Sequence, residues 1–184
     1  MQKIVIGLVG QIACGKGVVK KYLINTNNAS DYRFSTILRD AMGRLSIETS
    51  RENLQKFSTL IRQNFGEDIL AKAIAQDARD DQSQFIVIDG IRRMADIKYL
   101  KELPEFRLIS IFADKDIRLQ RVINRNENPG DDKKTMEEFE KEEMAETEEQ
   151  IPEVMSHADF NIINNGTWDE LHSQIDKIVA EIRK

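Results

Sequence analysis

Residues 10–17 read G-Q-I-A-C-G-K-G, and no other stretch of the chain says more about its fold class. Two glycines with four residues between them, followed by a lysine, match most of the Walker A phosphate-binding loop, whose backbone N–H groups bind phosphate. An apolar stretch, residues 4–9, leads into the loop, and V-V-K-K-Y-L after it has helical spacing. This order predicts that the loop and a helix N-terminus face one anion together. We expect Lys16 to reach the outer phosphates.

The loop departs from the Walker A pattern at one position. After the lysine the pattern has Ser or Thr, whose hydroxyl ligates Mg²⁺, whereas this chain has Gly17. Magnesium keeps several waters and binds phosphate oxygens, so it tolerates the loss of one protein ligand. We therefore expect nucleotide binding to survive the change, while the strength of metal binding stays open.

Along the chain, apolar runs bounded by turn residues alternate with longer segments of helical period. This alternation favours an α/β fold, a parallel sheet flanked by helices. The predicted strands are residues 3–9, 31–34, 85–89, 107–112 and 159–163. The predicted helices begin near Lys16, Thr36, Arg51, Met94, Asp116, Thr135 and Thr167.

Composition narrows the classes of partner. With 184 residues, 40% of them hydrophobic, the chain is long enough for one well-buried core and short for two domains. A net charge of −5 gives no electrostatic reason to bind nucleic acid or an anionic membrane surface. The single Cys14 cannot form an internal disulfide, and no apolar run approaches the roughly 20 residues of a membrane span. We expect a cytoplasmic protein with a small-molecule partner.

A second polar patch follows the third predicted strand, in F-I-V-I-D-G-I-R-R at residues 85–93. Asp89 stands at the carboxyl end of this strand, the edge at which open α/β sheets bind ligands. A carboxylate there can hold a metal-bound water or accept a proton from an attacking hydroxyl. It can also do no more than cap the next helix.

The stretch I-G-L-V-G-Q-I-A-C-G-K-G-V-V-K-K-Y-L resembles the start of P-loop kinases of small metabolites, the nucleoside monophosphate kinases and dephospho-CoA kinases. Its lysine-then-glycine order is similar to that of adenylate kinases, which carry Thr one position later, where this chain has Val18. The resemblance extends over residues 3 to about 171. It implies a three-layer P-loop NTPase fold with a small helical lid, and ATP and Mg²⁺ as cofactors. The residues that it assigns to ATP are Gly10, Gln11, Ile12, Ala13, Cys14, Gly15, Lys16, Gly17 and Val18, with Asn165 and Gly166 beside the base.

Four arginines are candidates for the acceptor side. F-S-T-I-L-R and D-G-I-R resemble segments of adenylate kinases whose arginines contact the acceptor phosphate, which nominates Arg39 and either Arg92 or Arg93, with Arg92 preferred. In R-E-N-L-Q-K-F-S-T-L-I-R-Q-N-F-G-E-D-I-L-A-K-A-I, apolar residues recur at three and four, so the segment is an amphipathic helix. Arg51 and Arg62 fall within about 40° of one line on it, and two such arginines can clamp an anion or lie on the surface.

Three further arginines and an acidic segment point to the donor side. Arg118, Arg121 and Arg125 share one helical face and resemble the arginines that neutralise the transferred phosphoryl group. We prefer Arg121 and Arg125, because Arg118 can also pair with Asp114 on the surface. Pro129 and Gly130 then read as a hinge into the acidic stretch 135–149. That stretch opens with a capping-box spacing and is either a mobile lid or a solvated helix.

These observations predict one P-loop kinase domain over residues 1–184, with an acceptor-binding helical region at about 36–80 and a lid at about 126–150. The expected reaction is phosphoryl transfer from Mg-ATP to a nucleoside or deoxynucleoside monophosphate. Lys16, Arg121, Arg125 and Asp89 are the expected catalytic residues, and Asp89 is expected to hold the metal through water. Two alternatives stay open: dephospho-CoA kinase activity, with Asp89 as base, and a nucleotide-binding regulator with a degenerate loop. The acceptor base and the oligomeric state are not encoded in these motifs.

Overall fold

Strand β1 (Ile4–Val9), which leads into the glycine loop, is buried at every position. Burial on both faces is typical of the central strand of a parallel sheet. In the computed structural model, which describes residues 3–127, 130–144 and 148–184, β1 lies in the middle of a five-stranded sheet. The strand order is β2-β3-β1-β4-β5, and every neighbouring pair is parallel. The other strands are β2 (Ser30–Arg33), β3 (Phe85–Asp89), β4 (Phe106–Phe112) and β5 (Phe160–Ile163).

Helices connect these strands and cover both faces of the sheet. Within the described residues they are α1 (Lys16–Asn27), α2 (Phe34–Arg44), α3 (Arg51–Phe65), α4 (Ile69–Asp80), α5 (Met94–Ile97), α6 (Lys115–Arg125), α7 (Met136–Glu143), α8 (Ile151–Ser156) and α9 (Trp168–Ile182), with a short 3₁₀ turn at Asp131–Lys133. The predicted three-layer α/β P-loop fold with five parallel strands is confirmed. All five predicted strands form within one residue of their expected bounds.

Two hydrophobic cores hold the layers together, one on each face of the sheet. On one face α1 and α9 pack against the sheet, with Val19, Leu23, Leu171 and Ile175 buried. On the other face α2, α4, α5 and α8 pack against it, and α3 contributes partly buried side chains. A smaller cluster joins α6 and α7, where Phe139 is fully buried against Leu119 and Val122. The acidic helix is therefore packed on α6 and is not only a solvated surface segment.

The long amphipathic segment that begins at Arg51 forms two helices. Helix α3 ends at Phe65, and Gly66 has φ +104°, a conformation that side-chain-bearing residues rarely adopt. Helix α4 then begins at Ile69 and buries Leu70, Ile74 and Ala78. Leu60 and Phe65, two of the apolar residues that recur at helical spacing in this segment, are exposed. The separate helices α4 and α8 were not predicted from the sequence.

Asp81, the residue that follows α4, connects α4 to β2 and to the start of β1 through hydrogen bonds. Its carboxylate accepts hydrogen bonds from the Tyr32 hydroxyl at 2.9 Å and the Ser83 N–H at 2.7 Å, and its carbonyl accepts from Lys3 Nζ at 2.6 Å. Although desolvation acts in the opposite direction, hydrogen bonds from Ser30, Ser83 and Tyr32 hold the pKa of Asp81 below its ordinary value. Burial and the Asp81 carboxylate raise the pKa of Tyr32 to about 12.

The edge strand β5 is covered by a side chain of α9. The Ile163 N–H donates to Gln174 Oε1 at 3.0 Å, and the Gln174 amide donates to the Ile163 carbonyl at 2.9 Å. The Gln174 side chain thus makes at this position the pair of hydrogen bonds that a neighbouring strand would make.

Candidate functional site

The glycine loop turns sharply between β1 and α1. Ala13 and Gly15 have φ +58° and +102°, the left-handed conformation that lets successive N–H groups converge on one side of a turn. The Lys16 side chain lies across the loop, where its ammonium group donates to the Gly10 carbonyl and, at 3.5 Å, to the Gln11 carbonyl. The predicted P-loop residues are thereby brought together at the carboxyl end of the central strand, with the N-terminus of α1 beside them.

Two glycines of the loop leave no room for a side chain. A Cβ at Gly10 would clash with the Ile111 carbonyl, and a Cβ at Gly15 would clash with the Asn164 amide group. Gly17 differs, because no heavy atom lies within 4 Å of the place its Cβ would occupy. The missing hydroxyl at residue 17 is therefore not a consequence of crowding.

The connection from β5 to α9 is fastened to the loop. Asn164 Nδ2 donates to the Cys14 carbonyl at 2.8 Å, although Asn164 was not among the predicted residues. Arg121 donates to the Asn164 carbonyl at 2.7 Å and to the Cys14 carbonyl at 3.3 Å. Asn165 accepts from the Asp114 N–H at 2.8 Å. An open groove of about 740 Å³ adjoins Asn165 and Gly166, the residues predicted to lie beside a base.

The other two arginines considered for the donor side, Arg118 and Arg125, have different surroundings. Arg125 is exposed and pairs with Glu127 at 3.1 Å. Arg118 is buried, and its guanidinium binds the Glu143 carboxylate at the end of α7, so the alternative surface pair with Asp114 is wrong. Gln11 of the loop donates to the same Glu143 carboxylate at 3.1 Å, which ties the acidic helix to the phosphate loop. Pro129 of the predicted hinge, and part of the predicted lid, lie outside the described residues.

A carboxylate pair with a buried lysine lies beside the loop. Asp89 is at the end of β3, and its carboxylate accepts from the Gly90 N–H at 2.8 Å. Lys20 of α1 is only 5% exposed, and its ammonium lies 2.9 Å from Asp31 and 3.8 Å from Asp89. Arg33, which is the register partner of Asp89 in β2, lies 3.6 Å from the same carboxylate. Two cations therefore surround Asp89.

The predicted acceptor arginines divide into exposed and buried ones. Arg39 and Arg51 are exposed, and Arg39 reaches the Thr49 carbonyl at 3.4 Å. Arg92 is also exposed and pairs with Glu148 at 3.1 Å. Arg62 is 6% exposed and forms a 2.9 Å ion pair with Asp96, which also accepts from the N–H groups of Arg92 and Arg93. In this structure Arg62 therefore supports the backbone after β3, while its binding to an acceptor stays a prediction.

Several residues of this site were missed by sequence reasoning. They are Lys20, Asp31, Arg33, Asp96, Glu143 and Asn164. The one available signal was the spacing of Lys20, which stands four residues after Lys16 and thus on the same face of α1. The other residues come from distant parts of the chain, so only the strand order places them at the site.

The residues at the phosphate loop do not fit a magnesium site built from protein ligands. Gly17 supplies no hydroxyl, and Asp89 is already bonded to an N–H group and flanked by two cations. Over the described residues no cluster of three or more His, Cys, Asp or Glu side chains is arranged to hold a metal ion. Any Mg²⁺ at the loop would accordingly rely on phosphate oxygens and water.

Comparison with known proteins gives a family and a fold. No family model matches the sequence. The chain is 30% identical to the UPF0200 protein of Thermococcus kodakarensis over 151 residues, which cover 79% of this chain and 80% of that protein. It is also 23% identical to a UPF0200 protein of Hyperthermus butylicus over 98% of this chain and 95% of that one.

Among solved structures, shikimate kinase from Bacteroides thetaiotaomicron superposes with a TM-score of 0.60 at 11% identity, covering 98% of this chain and 99% of that one. This likeness shows that the fold is that of P-loop kinases. Within the described residues no helix is both long and apolar enough to cross a membrane.

Proposed function

We propose that this chain, which belongs to the UPF0200 family, is an ATP-dependent phosphotransferase acting on a nucleoside or deoxynucleoside monophosphate. The observation that carries the proposal is the convergence of two cations on one glycine loop. Lys16 folds over the loop from α1, and Arg121 reaches it from α6. A loop of N–H groups with two cations at its rim suits the β- and γ-phosphates of ATP.

The proposed chemistry needs positioning and charge more than a reactive side chain. An oxygen of the acceptor phosphate attacks the γ-phosphorus of ATP, the bond to the β–γ bridging oxygen breaks, and ADP departs with the electron pair. Lys16 and Arg121 stabilise the negative charge that this transfer spreads over the phosphoryl oxygens. Arg125 remains a proposed third cation, since it is exposed and can turn toward a bound nucleotide. Magnesium that arrives with the nucleotide would neutralise further charge.

An acceptor that already carries phosphate is favoured by the surroundings of Asp89. An alcohol acceptor, as in dephospho-CoA kinase, needs a carboxylate that is free to take its proton. Asp89 instead bonds to the Gly90 N–H and lies between Lys20 and Arg33. The exposed Arg39, Arg51 and Arg92 are suited to bind a phosphate dianion on the acceptor side.

The experiment that tests the proposal is an ADP-release assay with Mg-ATP and a panel of ribo- and deoxyribonucleoside monophosphates, with dephospho-CoA included. We expect turnover that depends on a monophosphate. Lys16→Ala should lower kcat by about a hundredfold or more, the scale for losing one preorganised stabilising group. The matched control is Lys21→Ala, an exposed lysine on the same helix, which should leave the rate unchanged.

Three outcomes would contradict the proposal. Turnover with dephospho-CoA alone would establish the alcohol acceptor. Activity that Lys16→Ala leaves intact would remove the loop from the mechanism. ATP binding without turnover across the panel would support a regulator with a degenerate loop.

A further inference from the structure

Lys20 is a buried charge that the proposed transfer does not use. Its side chain is 7% exposed, which is costly for an ammonium ion unless carboxylates surround it. It donates to both oxygens of Asp31, at 2.9 and 3.3 Å, and lies 3.8 Å from Asp89. Lys20 stands three residues after Gly17 on α1, about one helical turn from the loop that precedes this helix.

Asp89, one of the two carboxylates near Lys20, stands at the end of a strand that neighbours β1. In P-loop NTPases, Mg²⁺ is held by the Ser or Thr of the loop and by an aspartate at the end of a neighbouring strand. In this chain the first partner is Gly17, and the second is Asp89. Of these two usual protein ligands, the hydroxyl is absent here, and the aspartate lies beside the Lys20 ammonium group.

Charge balance points in the same direction. Asp31 and Asp89 carry two negative charges, and Lys20 and Arg33 carry two positive ones, so the four groups are neutral together. A divalent cation placed among them would gain no net attraction and would be repelled by both neighbouring cations. A site for Mg²⁺ or Mn²⁺ requires uncompensated oxygen ligands, which this arrangement lacks.

We infer that Lys20 is the resident cation of the Asp31–Asp89 pair, taking the place of a protein-bound divalent metal, so that Mg²⁺ reaches this site only with the nucleotide. Lys20 is then a positioning residue that holds the Asp89 carboxylate at the end of β3. The inference rests on the proposed function for its meaning in catalysis, but the occupancy of the carboxylate pair can be measured without nucleotide.

The test measures Mn²⁺ binding to the nucleotide-free protein, by electron paramagnetic resonance of free Mn²⁺ and by calorimetry. Wild-type protein should show no saturable Mn²⁺ binding. Lys20→Met, which uncovers the two carboxylates, should bind Mn²⁺ saturably, at least tenfold more tightly than any weak, non-saturating binding to wild type, and adding Asp89→Asn should abolish that binding. The matched control is Lys21→Met, which makes the same change of net charge on the exposed side of α1.

Two results would overturn the inference. One is Mn²⁺ binding to the wild-type protein that Asp89→Asn removes, because this would show an open metal site beside Lys20. This result needs no Lys20 variant and so holds even when Lys20→Met fails to fold. The other is a folded Lys20→Met protein that binds Mn²⁺ no better than Lys21→Met does. Neither measurement uses ATP. A failure of the kinase proposal would therefore appear separately, as the absence of monophosphate-dependent ADP release.

Discussion

At the scale of single residues, Gly15 and Gly17 of the phosphate loop differ in the room that each has for a side chain. The space around Gly17 is open, whereas Gly15 has a positive φ and lies against the Asn164 side chain. The loop therefore has one position that accepts a side chain and another that requires glycine.

Gly17→Ser should fold like the wild type and lower the Mg²⁺ concentration that gives half-maximal activity. The serine hydroxyl restores the loop's own metal ligand, and nothing near residue 17 opposes it. The measurement is a Mg²⁺ titration of the rate at saturating ATP, beside a thermal melt. A Mg²⁺ requirement equal to that of the wild type would mean that the hydroxyl is dispensable here.

Gly15→Ser is the contrasting variant, made by the same chemical change two residues away. Its positive φ alone should cost about 1–3 kcal/mol of stability, and the clash with Asn164 should weaken ATP binding. Equal melting temperatures for the two variants would contradict this account of the loop.

The sequence predicted the phosphate loop because the motif encodes backbone geometry, which the spacing of glycines reveals. It did not reveal Lys20, since the only local signal, a spacing of four residues from Lys16 on α1, does not by itself distinguish it among the 27 lysines and arginines of the chain. The burial of Lys20 follows from Asp31 and Asp89, which only the folded sheet brings beside it. The part of this site that the sequence does not predict thus consists of charged residues that lie far apart in the chain and form pairs only in the folded protein.

At the scale of elements, α3 is held to the segment after β3 by the buried Arg62–Asp96 ion pair. Arg62 also donates to the Glu67 carbonyl just beyond the end of α3. Asp96 in turn accepts from two N–H groups of the segment that carries Arg92. The pair therefore connects helix α3 to the segment that contains Arg92.

Arg62→Met should lower the free energy of unfolding by about 3–5 kcal/mol, because it leaves the Asp96 charge buried without its partner. Arg51→Met, an exposed arginine at the start of the same helix, should change it by no more than about 0.5 kcal/mol. Urea denaturation of both variants measures the difference. A stable Arg62→Met protein with a raised KM for the acceptor would instead support a direct role in acceptor binding.

Helix boundaries show why sequence periodicity was insufficient in this region. Apolar residues continue through Gly66 at helical spacing, so the pattern reads as one helix, yet the positive φ of Gly66 ends α3 there. Periodicity reports which faces are apolar but does not report a change of direction between two helices. In contrast, the capping box of Thr135 and Glu138 correctly predicted the start of α7.

At the scale of the whole molecule, the strand order assembles the site from distant segments. The central position of β1 places the phosphate loop between the ends of β3 and β4, so Asp89 and the arginines of α6 approach it from opposite sides. Brought together at the carboxyl edge of one parallel sheet, these groups need no second domain to form a site.

Stability in acid should depend on Asp81, which links α4 to β2 and to the start of β1. Its pKa is lowered in the folded protein, whereas an aspartate in the unfolded chain has a pKa of about 3.9. Its contribution is therefore fully present above that value and is lost as the pH falls below it. The difference in free energy of unfolding between wild type and Asp81→Asn should be largest near neutral pH and narrow toward about pH 3.

Urea denaturation at several pH values measures this difference, with Asp132→Asn at an exposed position as the matched control. The curves of wild type and Asp132→Asn should run parallel over the same range. A gap between wild type and Asp81→Asn that stays constant down to about pH 3 would show that the Asp81 hydrogen bonds do not depend on its charge.

The Gln174 amide that covers β5 has a consequence for crowded solutions of this protein. An exposed edge strand is a template on which a strand from another molecule can start an aggregate. Here an incoming strand would first have to displace the glutamine from Ile163, and at that residue it would gain no hydrogen bond that is not already made. One neutral side chain thus hinders the addition of a foreign strand at Ile163, and it does so without adding charge to this edge of the sheet.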